Sequence, residues 1–73
     1  MTMRVLGDVI CRTRRSQLLT QEELSIAANL SRRTIQRLER GDTATSHSIR
    51  SVAKALGLEP CDICEPLDLS DME

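Results

Sequence analysis

A short segment from Ser31 to Gly41 carries side chains suited to hydrogen bonding with nucleic acid. Its large apolar residues, Ile35 and Leu38, are three positions apart, which predicts one buried face of a helix. Arginine binds guanine edges and phosphates through two parallel hydrogen bonds. Few acids stand at the spacing that would pair with arginines along a helix, so DNA binding is favoured over an ordinary solvated surface. The predicted outer face holds Arg32, Arg33, Gln36, Arg37 and Arg40.

Residues 20–41 predict two short helices joined by a tight turn. Thr20 and Glu23 have the spacing of a capping box, in which each side chain bonds the other residue's backbone N–H. Asn29 tolerates the left-handed conformation of a sharp turn, and Ser31 can cap a new helix two residues later. A turn this short forces a steep crossing, as in a helix-turn-helix. The inner face of the first helix is predicted to be Leu24, Ala27 and Ala28.

The segment LLTQEELSIAANLSRRTIQRLERG resembles the helix-turn-helix of the phage repressor/Cro-like (XRE-type) family of small transcriptional regulators. The similarity extends over about residues 6 to 63. It implies an all-α, compact five-helix bundle of the lambda-repressor-like type, with the helix at 32–40 in the major groove of double-stranded DNA. The matching positions are Gln21, Leu24, Ser31, Ile35, Leu38, Glu39, Gly41 and the later segment AKALGL.

The resemblance also implies roles for single side chains. Arg14 on the first helix and Glu39 on the third would form an inward salt bridge, and breaking a partly buried pair from one side is strongly destabilising. The implied base contacts are Arg32, Arg33 and Arg37. The implied phosphate contacts are Gln21, Ser31, Arg14, Thr34 and Arg40.

The sequence departs from the family pattern at three places. Ser25 and Asn29 stand where family members usually have Ala and Gly, and both are physically tolerable there. The loop after Gly41 reads DTATSHS, whereas family members often carry basic or amide residues that contact phosphate. Because this loop begins with the acid Asp42, we expect it to make weaker contacts with the DNA backbone.

Length and composition indicate one small helical domain. The chain has 73 residues and no Phe, Tyr or Trp, so its core must be aliphatic. The lack of aromatic rings argues against modules that stack bases. We expect further helices at residues 5–16, 46–56 and 60–65. The DNA-binding domain is predicted to span residues 1–67, and an acidic, flexible tail to follow at 68–73.

The net charge of −1 hides two parts of opposite sign. Residues 1–50 contain nine arginines and five acids, whereas residues 51–73 contain Lys54 and six acids. The positive part includes the predicted reading helix, which favours contact with nucleic acid. The sequence shows neither a long apolar run nor a signal peptide, so we expect a cytoplasmic protein without membrane contact.

Three cysteines and one histidine offer little for other chemistry. Cys61 and Cys64 have the spacing of redox and zinc motifs, but the flanking sequence supplies neither further ligands nor a strand-turn-helix. We expect these cysteines and Cys11 to be reduced and buried, and His47 to be solvated or capping. The sequence predicts no metal, no cofactor and no catalytic constellation, and hence no enzyme.

The leading hypothesis is a sequence-specific transcriptional regulator, a repressor that acts by occupying its site. One helix reads only a few base pairs, so we expect a homodimer on a palindromic operator with half-sites about 34 Å apart. The alternatives are a protein-interaction or antitoxin-like module on the same fold, favoured by the acidic tail and loop, and a small thiol or metal protein. The expected dimer interface is Leu58, Pro60, Ile63 and Leu67.

Overall fold

A computed structural model describes residues 2–65 of the chain. Within that range the protein is mostly helical, with four α-helices, one 3-10 turn and a two-stranded sheet. The predicted tail at 68–73 and the domain boundary at residue 67 lie outside the described residues. The elements follow in the order β1 (Thr2–Arg4), α1 (Gly7–Ser16), α2 (Gln21–Ala28), α3 (Arg32–Glu39), β2 (Thr43–Thr45), α4 (Ser46–Leu56) and the 3-10 turn Pro60–Asp62.

The predicted capping signals form as the sequence indicates. The Thr20 hydroxyl accepts the Glu23 N–H at 3.0 Å, and the Glu23 carboxylate accepts the Thr20 N–H at 2.9 Å. Asn29 ends α2 in the left-handed conformation, with φ 56°. Ser31 accepts the Thr34 N–H at 3.1 Å and begins α3. These local bonds position α3 directly after α2, so the helix-turn-helix is present.

The expected helical fold is confirmed in part, because the chain is mostly helical but β1 and β2 form a small antiparallel pair. Met3 lies opposite Ala44, and Arg4 lies opposite Thr43. The β-branched threonines of the DTATSHS loop favour this extended backbone. Val5 forms a further bridge with Cys64, so the first helix begins at Gly7 and not at residue 5.

The expected fifth helix at 60–65 is not confirmed, because only the three-residue 3-10 turn Pro60–Asp62 forms there. The backbone beyond this turn bonds the start of the chain. Leu6 N–H donates to the Ile63 carbonyl at 2.8 Å, and Glu65 N–H donates to the Arg4 carbonyl at 3.0 Å. Residues bonded across the fold in this way cannot continue a helix, whose N–H groups bond within their own segment.

The core is aliphatic, as predicted, and two expectations about its members are wrong. Ala27 is exposed, and Ser25 takes its place in the buried face of α2, with its hydroxyl bonded to the Glu22 carbonyl at 2.6 Å. Ile63 is fully buried, so it cannot form the expected dimer interface, and Leu67 lies outside the described residues. The fully buried large side chains are Ile10, Leu24, Ile35, Leu38, Ile49, Val52 and Ile63.

Helix α1 approaches the end of α3 most closely at Gly7. A Cβ atom added to Gly7 would lie 2.6 Å from the Leu38 carbonyl oxygen, and it would also clash with the Glu39 carbonyl. Carbon and oxygen atoms do not approach this closely without bonding, and both obstacles are backbone. The absence of a side chain at Gly7 therefore allows α1 to pack against α3.

We expect Gly7→Ala to lower the free energy of unfolding by about 2 kcal/mol, since the backbones of α1 and α3 must separate. Alanine otherwise stabilises a helix more than glycine does, so any loss of stability would come from the close approach of α1 to α3. For a domain of this size the melting temperature should fall by roughly 8–16 °C, measured by circular dichroism.

Gly57→Ala is the control for Gly7→Ala. Gly57 has φ +76° but open space around its Cβ position, so alanine there costs about 1 kcal/mol of backbone strain and no clash. A Gly7→Ala protein as stable as the wild type would contradict the packing described here.

Candidate nucleic-acid interface

Helix α3 divides into a buried face and an exposed stripe. Ile35 and Leu38 are almost completely buried and fasten the helix to the core. Four exposed polar side chains face away from them at helical spacing. Gln36 shares this stripe with arginines, although the family resemblance implies no base contact for it; its predicted position opposite Ile35 and Leu38 is the signal that indicates one. We call these residues the reading stripe: Arg33, Gln36, Arg37 and Arg40.

Arg32 is exposed but lies beside the reading stripe. Successive residues of a helix are about 100° apart, so Arg32 points to a different side from Arg33. It lines a recess with Arg15, Thr20 and Glu22 at the beginning of α2. The three predicted base contacts therefore separate into Arg33 and Arg37 on the stripe and Arg32 at its edge.

Arg14 and Glu39 form an ion pair that joins α1 to α3. The Arg14 Nε donates to Glu39 Oε2, and its Nη2 donates to Oε1 at 3.1 Å. The Arg14 Nη1 donates to the Leu19 carbonyl at 2.8 Å, and the Gln21 amide donates to Glu39 Oε1 at 3.1 Å. Since Gln21 begins α2, one carboxylate connects three helices.

This network engages Arg14 and Gln21, two of the residues predicted to contact phosphate. Arg14 is 9 % exposed, and all three of its guanidinium nitrogens donate bonds inside the protein, which does not favour its predicted contact with phosphate. Gln21 is half-buried, and its N–H₂ group bonds Glu39. Both residues hold α3 in position through Glu39, and the Gln21 amide has a second N–H that can bind another acceptor.

The surroundings of the pair shift both ionisation equilibria. The hydrogen bond with Glu39 raises the pKa of Arg14, although burial opposes this. Burial alone would raise the pKa of Glu39, but hydrogen bonds from Arg14 and Gln21 and the charge of Arg14 lower it below its ordinary value. Both groups are therefore charged at neutral pH.

The other predicted phosphate contacts lie at the two ends of α3. Ser31 and Thr34 begin the helix, and their hydroxyl oxygens are 2.8 Å apart. Ser31 is exposed and Thr34 is half-buried. Arg40 follows the other end of the helix, where it is exposed and 3.8 Å from the Asp42 carboxylate. The Ser31 hydroxyl and the Arg40 guanidinium can both donate to a phosphate oxygen from the surface.

The cysteines differ in exposure. Cys64 is buried, as expected, and donates to the Pro60 carbonyl at 3.2 Å; burial and the neighbouring Cys61 raise its pKa. Cys11 is half-buried, and Cys61 is exposed, so burial of all three was wrong. Across residues 2–65, no group of three or more His, Cys, Asp or Glu side chains is arranged to hold a metal ion. None of the described helices is long and apolar enough to span a membrane.

The model of the HTH_3 helix-turn-helix family matches residues 12–63, and the chain belongs to this family. It is an XRE-type family of DNA-binding regulators and not of enzymes. The match spans α2, α3 and α4, and it begins within α1. Family and fold together support a DNA-binding transcriptional regulator.

Several solved structures share this fold. The restriction-modification controller protein C.AhdI from Aeromonas hydrophila is 30 % identical, with a TM-score of 0.71 over 75 % of this chain and 85 % of its own. The clp gene regulator ClgR from Corynebacterium glutamicum is 33 % identical, with a TM-score of 0.70 over 78 % of this chain and 62 % of its own. A SinR/SinI complex, 17 % identical, matches in fold, with a TM-score of 0.73 over 78 % of this chain and 57 % of that chain. No curated protein sequence matches.

We expect Glu39→Gln to lower the free energy of unfolding at pH 7 by about 3 kcal/mol, because it leaves the buried Arg14 charge unpaired. Folding lowers the pKa of Glu39. The extra stability of the wild type over Glu39→Gln is therefore present above the pKa of a Glu in the unfolded chain, about 4.3. This extra stability is lost as the pH falls through the lower pKa of Glu39 in the folded protein. Urea unfolding between pH 7 and pH 3 should show the two proteins converging in acid.

The matched control for Glu39→Gln is Glu22→Gln, because Glu22 is an exposed acid on α2. It should change the stability by less than about 0.5 kcal/mol. Replacing both partners, as Arg14→Met with Glu39→Leu, should restore most of the loss, since no charge is left buried. A constant difference between wild type and Glu39→Gln across this pH range would contradict the assigned ionisation.

Proposed function

We propose that this protein is a sequence-specific transcriptional repressor that inserts α3 into the major groove of double-stranded DNA. The observation that carries this proposal is the reading stripe, where three arginines and one glutamine are exposed on the side of α3 opposite fully buried Ile35 and Leu38. A helix fits the major groove, where each base pair presents its own pattern of donors and acceptors.

Each exposed side chain has a proposed partner. Arg33 and Arg37 bind guanine O6 and N7, and Arg32 binds a base edge at the beginning of the helix. Gln36 has the two-atom amide that pairs with adenine. Ser31, Thr34, Gln21 and Arg40 contact phosphates on either side of the groove, and Arg14 positions α3 through Glu39 without touching DNA.

Repression follows from occupancy, because a protein bound over a promoter excludes polymerase. Proteins of similar structure support a regulatory role: C.AhdI is a controller protein and ClgR a gene regulator. We propose that this chain likewise regulates genes, acting in the cytoplasm on DNA.

A homodimer on a palindromic operator completes the proposal. Helix α3 is eight residues long and reads only a few base pairs, so selectivity requires two copies at half-sites about 34 Å apart. Leu58 and Pro60 are the half-buried members of the interface expected from sequence.

Selection from a pool of random duplexes at moderate salt tests sequence reading. We expect a two-fold symmetric motif containing guanine. Arg33→Ala should weaken binding to the selected duplex by roughly 5- to 150-fold and relax the preference at one position of each half-site. Arg12→Ala is the control, since Arg12 pairs with Asp8 on α1 and is not part of the reading stripe. The affinity of this variant for the selected duplex should change little. If no motif is enriched, sequence reading fails and the protein-interaction module becomes the better account.

Analytical ultracentrifugation tests the dimer on DNA. Two protein chains should bind one selected palindromic duplex cooperatively, whereas a duplex with one half-site should bind much more weakly. A single chain bound to the palindrome at saturation would exclude the dimer while leaving sequence reading by α3 intact.

A further inference from the structure

Asp42 lies directly after the reading helix and faces two arginines of the reading stripe. Gly41 turns the chain with φ +87°, and the Asp42 N–H donates to the Arg37 carbonyl at 3.2 Å. The Asp42 Oδ2 atom is then 3.8 Å from Arg37 Nε and 3.8 Å from Arg40 Nη2. One carboxylate oxygen therefore partly neutralises two cations that would otherwise face DNA.

The remaining arginines of the exposed face differ from this pair. Arg32 and Arg33 make no ion pair with any of the residues that the structure describes. The side chain of Asp42 is 48 % exposed, so this acid lies on the surface that DNA would approach. The acid is thus directed at particular members of the stripe and leaves the beginning of α3 with its full positive charge.

The shortest contact between Arg37 and Asp42 is made at Nε, and neither terminal nitrogen of Arg37 donates a hydrogen bond within residues 2–65. Base reading by arginine needs two aligned N–H groups, and a side chain already held in one orientation loses less freedom on binding. Phosphate binding needs mainly charge, which Asp42 partly cancels. The same contact can therefore favour base reading over general attraction to the backbone.

We propose that Asp42 is a specificity-determining residue, which orients Arg37 toward base edges and weakens the attraction of Arg37 and Arg40 for phosphate. This inference rests on the proposed function, because it concerns discrimination between sequences. A carboxylate that weakens binding to random-sequence DNA more than binding to the recognised sequence increases specificity, even though it lowers total affinity.

The test measures the affinity of wild-type, Asp42→Asn and Asp8→Asn proteins for two duplexes, one selected by the wild-type protein and one of random sequence. Fluorescence anisotropy over a series of salt concentrations gives the affinity and its salt dependence. Asp8→Asn is the matched control, since Asp8 is an exposed acid paired with Arg12 at 3.3 Å outside the reading stripe. Both variants remove one negative charge and keep the size of the side chain.

We expect Asp42→Asn to bind the random duplex roughly 3- to 10-fold more tightly than the wild type. The slope of log affinity against log salt should steepen by about one, as one further phosphate is neutralised. The preference for the selected duplex should fall by a similar factor. Asp8→Asn should change each quantity by less than about twofold, and adding Arg37→Ala to Asp42→Asn should remove most of its gain.

Two failures are distinguishable. If the wild-type protein binds both duplexes equally, sequence reading itself fails, and the role of Asp42 fails with it. If the wild type prefers its selected duplex and Asp42→Asn retains that whole preference, or behaves like Asp8→Asn on the random duplex, only the role of Asp42 is overturned. Equal melting temperatures of the two variants show that the comparison concerns binding and not folding.

Discussion

The carboxylate of Glu39 is the point on which the position of α3 depends. An eight-residue helix is too short to be stable alone, so its packing partners decide where it lies. Ile35 and Leu38 hold its inner face, and Glu39 fixes its end by accepting bonds from Arg14 on α1 and Gln21 on α2. The buried charges are tolerated because each meets a partner. This requirement favours the one arrangement of the helices in which the partners meet. The exposed side of α3 is therefore presented in one fixed orientation.

Local chemistry made the helix-turn-helix predictable from sequence. The capping box at Thr20, the left-handed Asn29 and the cap at Ser31 each require only neighbouring residues, and all three form. The sheet depends on pairing between segments about forty residues apart, each three residues long, which is too short to show an alternating pattern. The close approach at Gly7 was likewise invisible, because it depends on where the carbonyl groups of α3 lie.

The same distinction applies to the candidate site. The residue types on α3 indicated an arginine-rich outer face, but only the structure shows which arginines already have partners. Arg14 was expected both to pair with Glu39 and to contact phosphate; its guanidinium is buried and all three nitrogens donate bonds inside the protein, which favours the pair alone. Ile63 illustrates the converse error, since an apolar residue in a polar segment predicts an interface, whereas Ile63 completes the core. Residue type indicated which side chains could bind DNA, and packing determined which of them are exposed to do so.

A net charge of −1 does not oppose DNA binding when cations and acids occupy different places. Attraction to phosphate falls off within about 8 Å at physiological salt, so the charges near α3 matter more than the total. Arg33 keeps its full charge on the exposed face, whereas the charge of Arg14 is paired with Glu39 inside the fold. Arg37 and Arg40 are partly neutralised by Asp42. We expect a protein arranged in this way to attract DNA moderately and to obtain the rest of its affinity from correctly placed hydrogen bonds. That balance suits a regulator, because many competing sites in a genome penalise strong binding to every sequence.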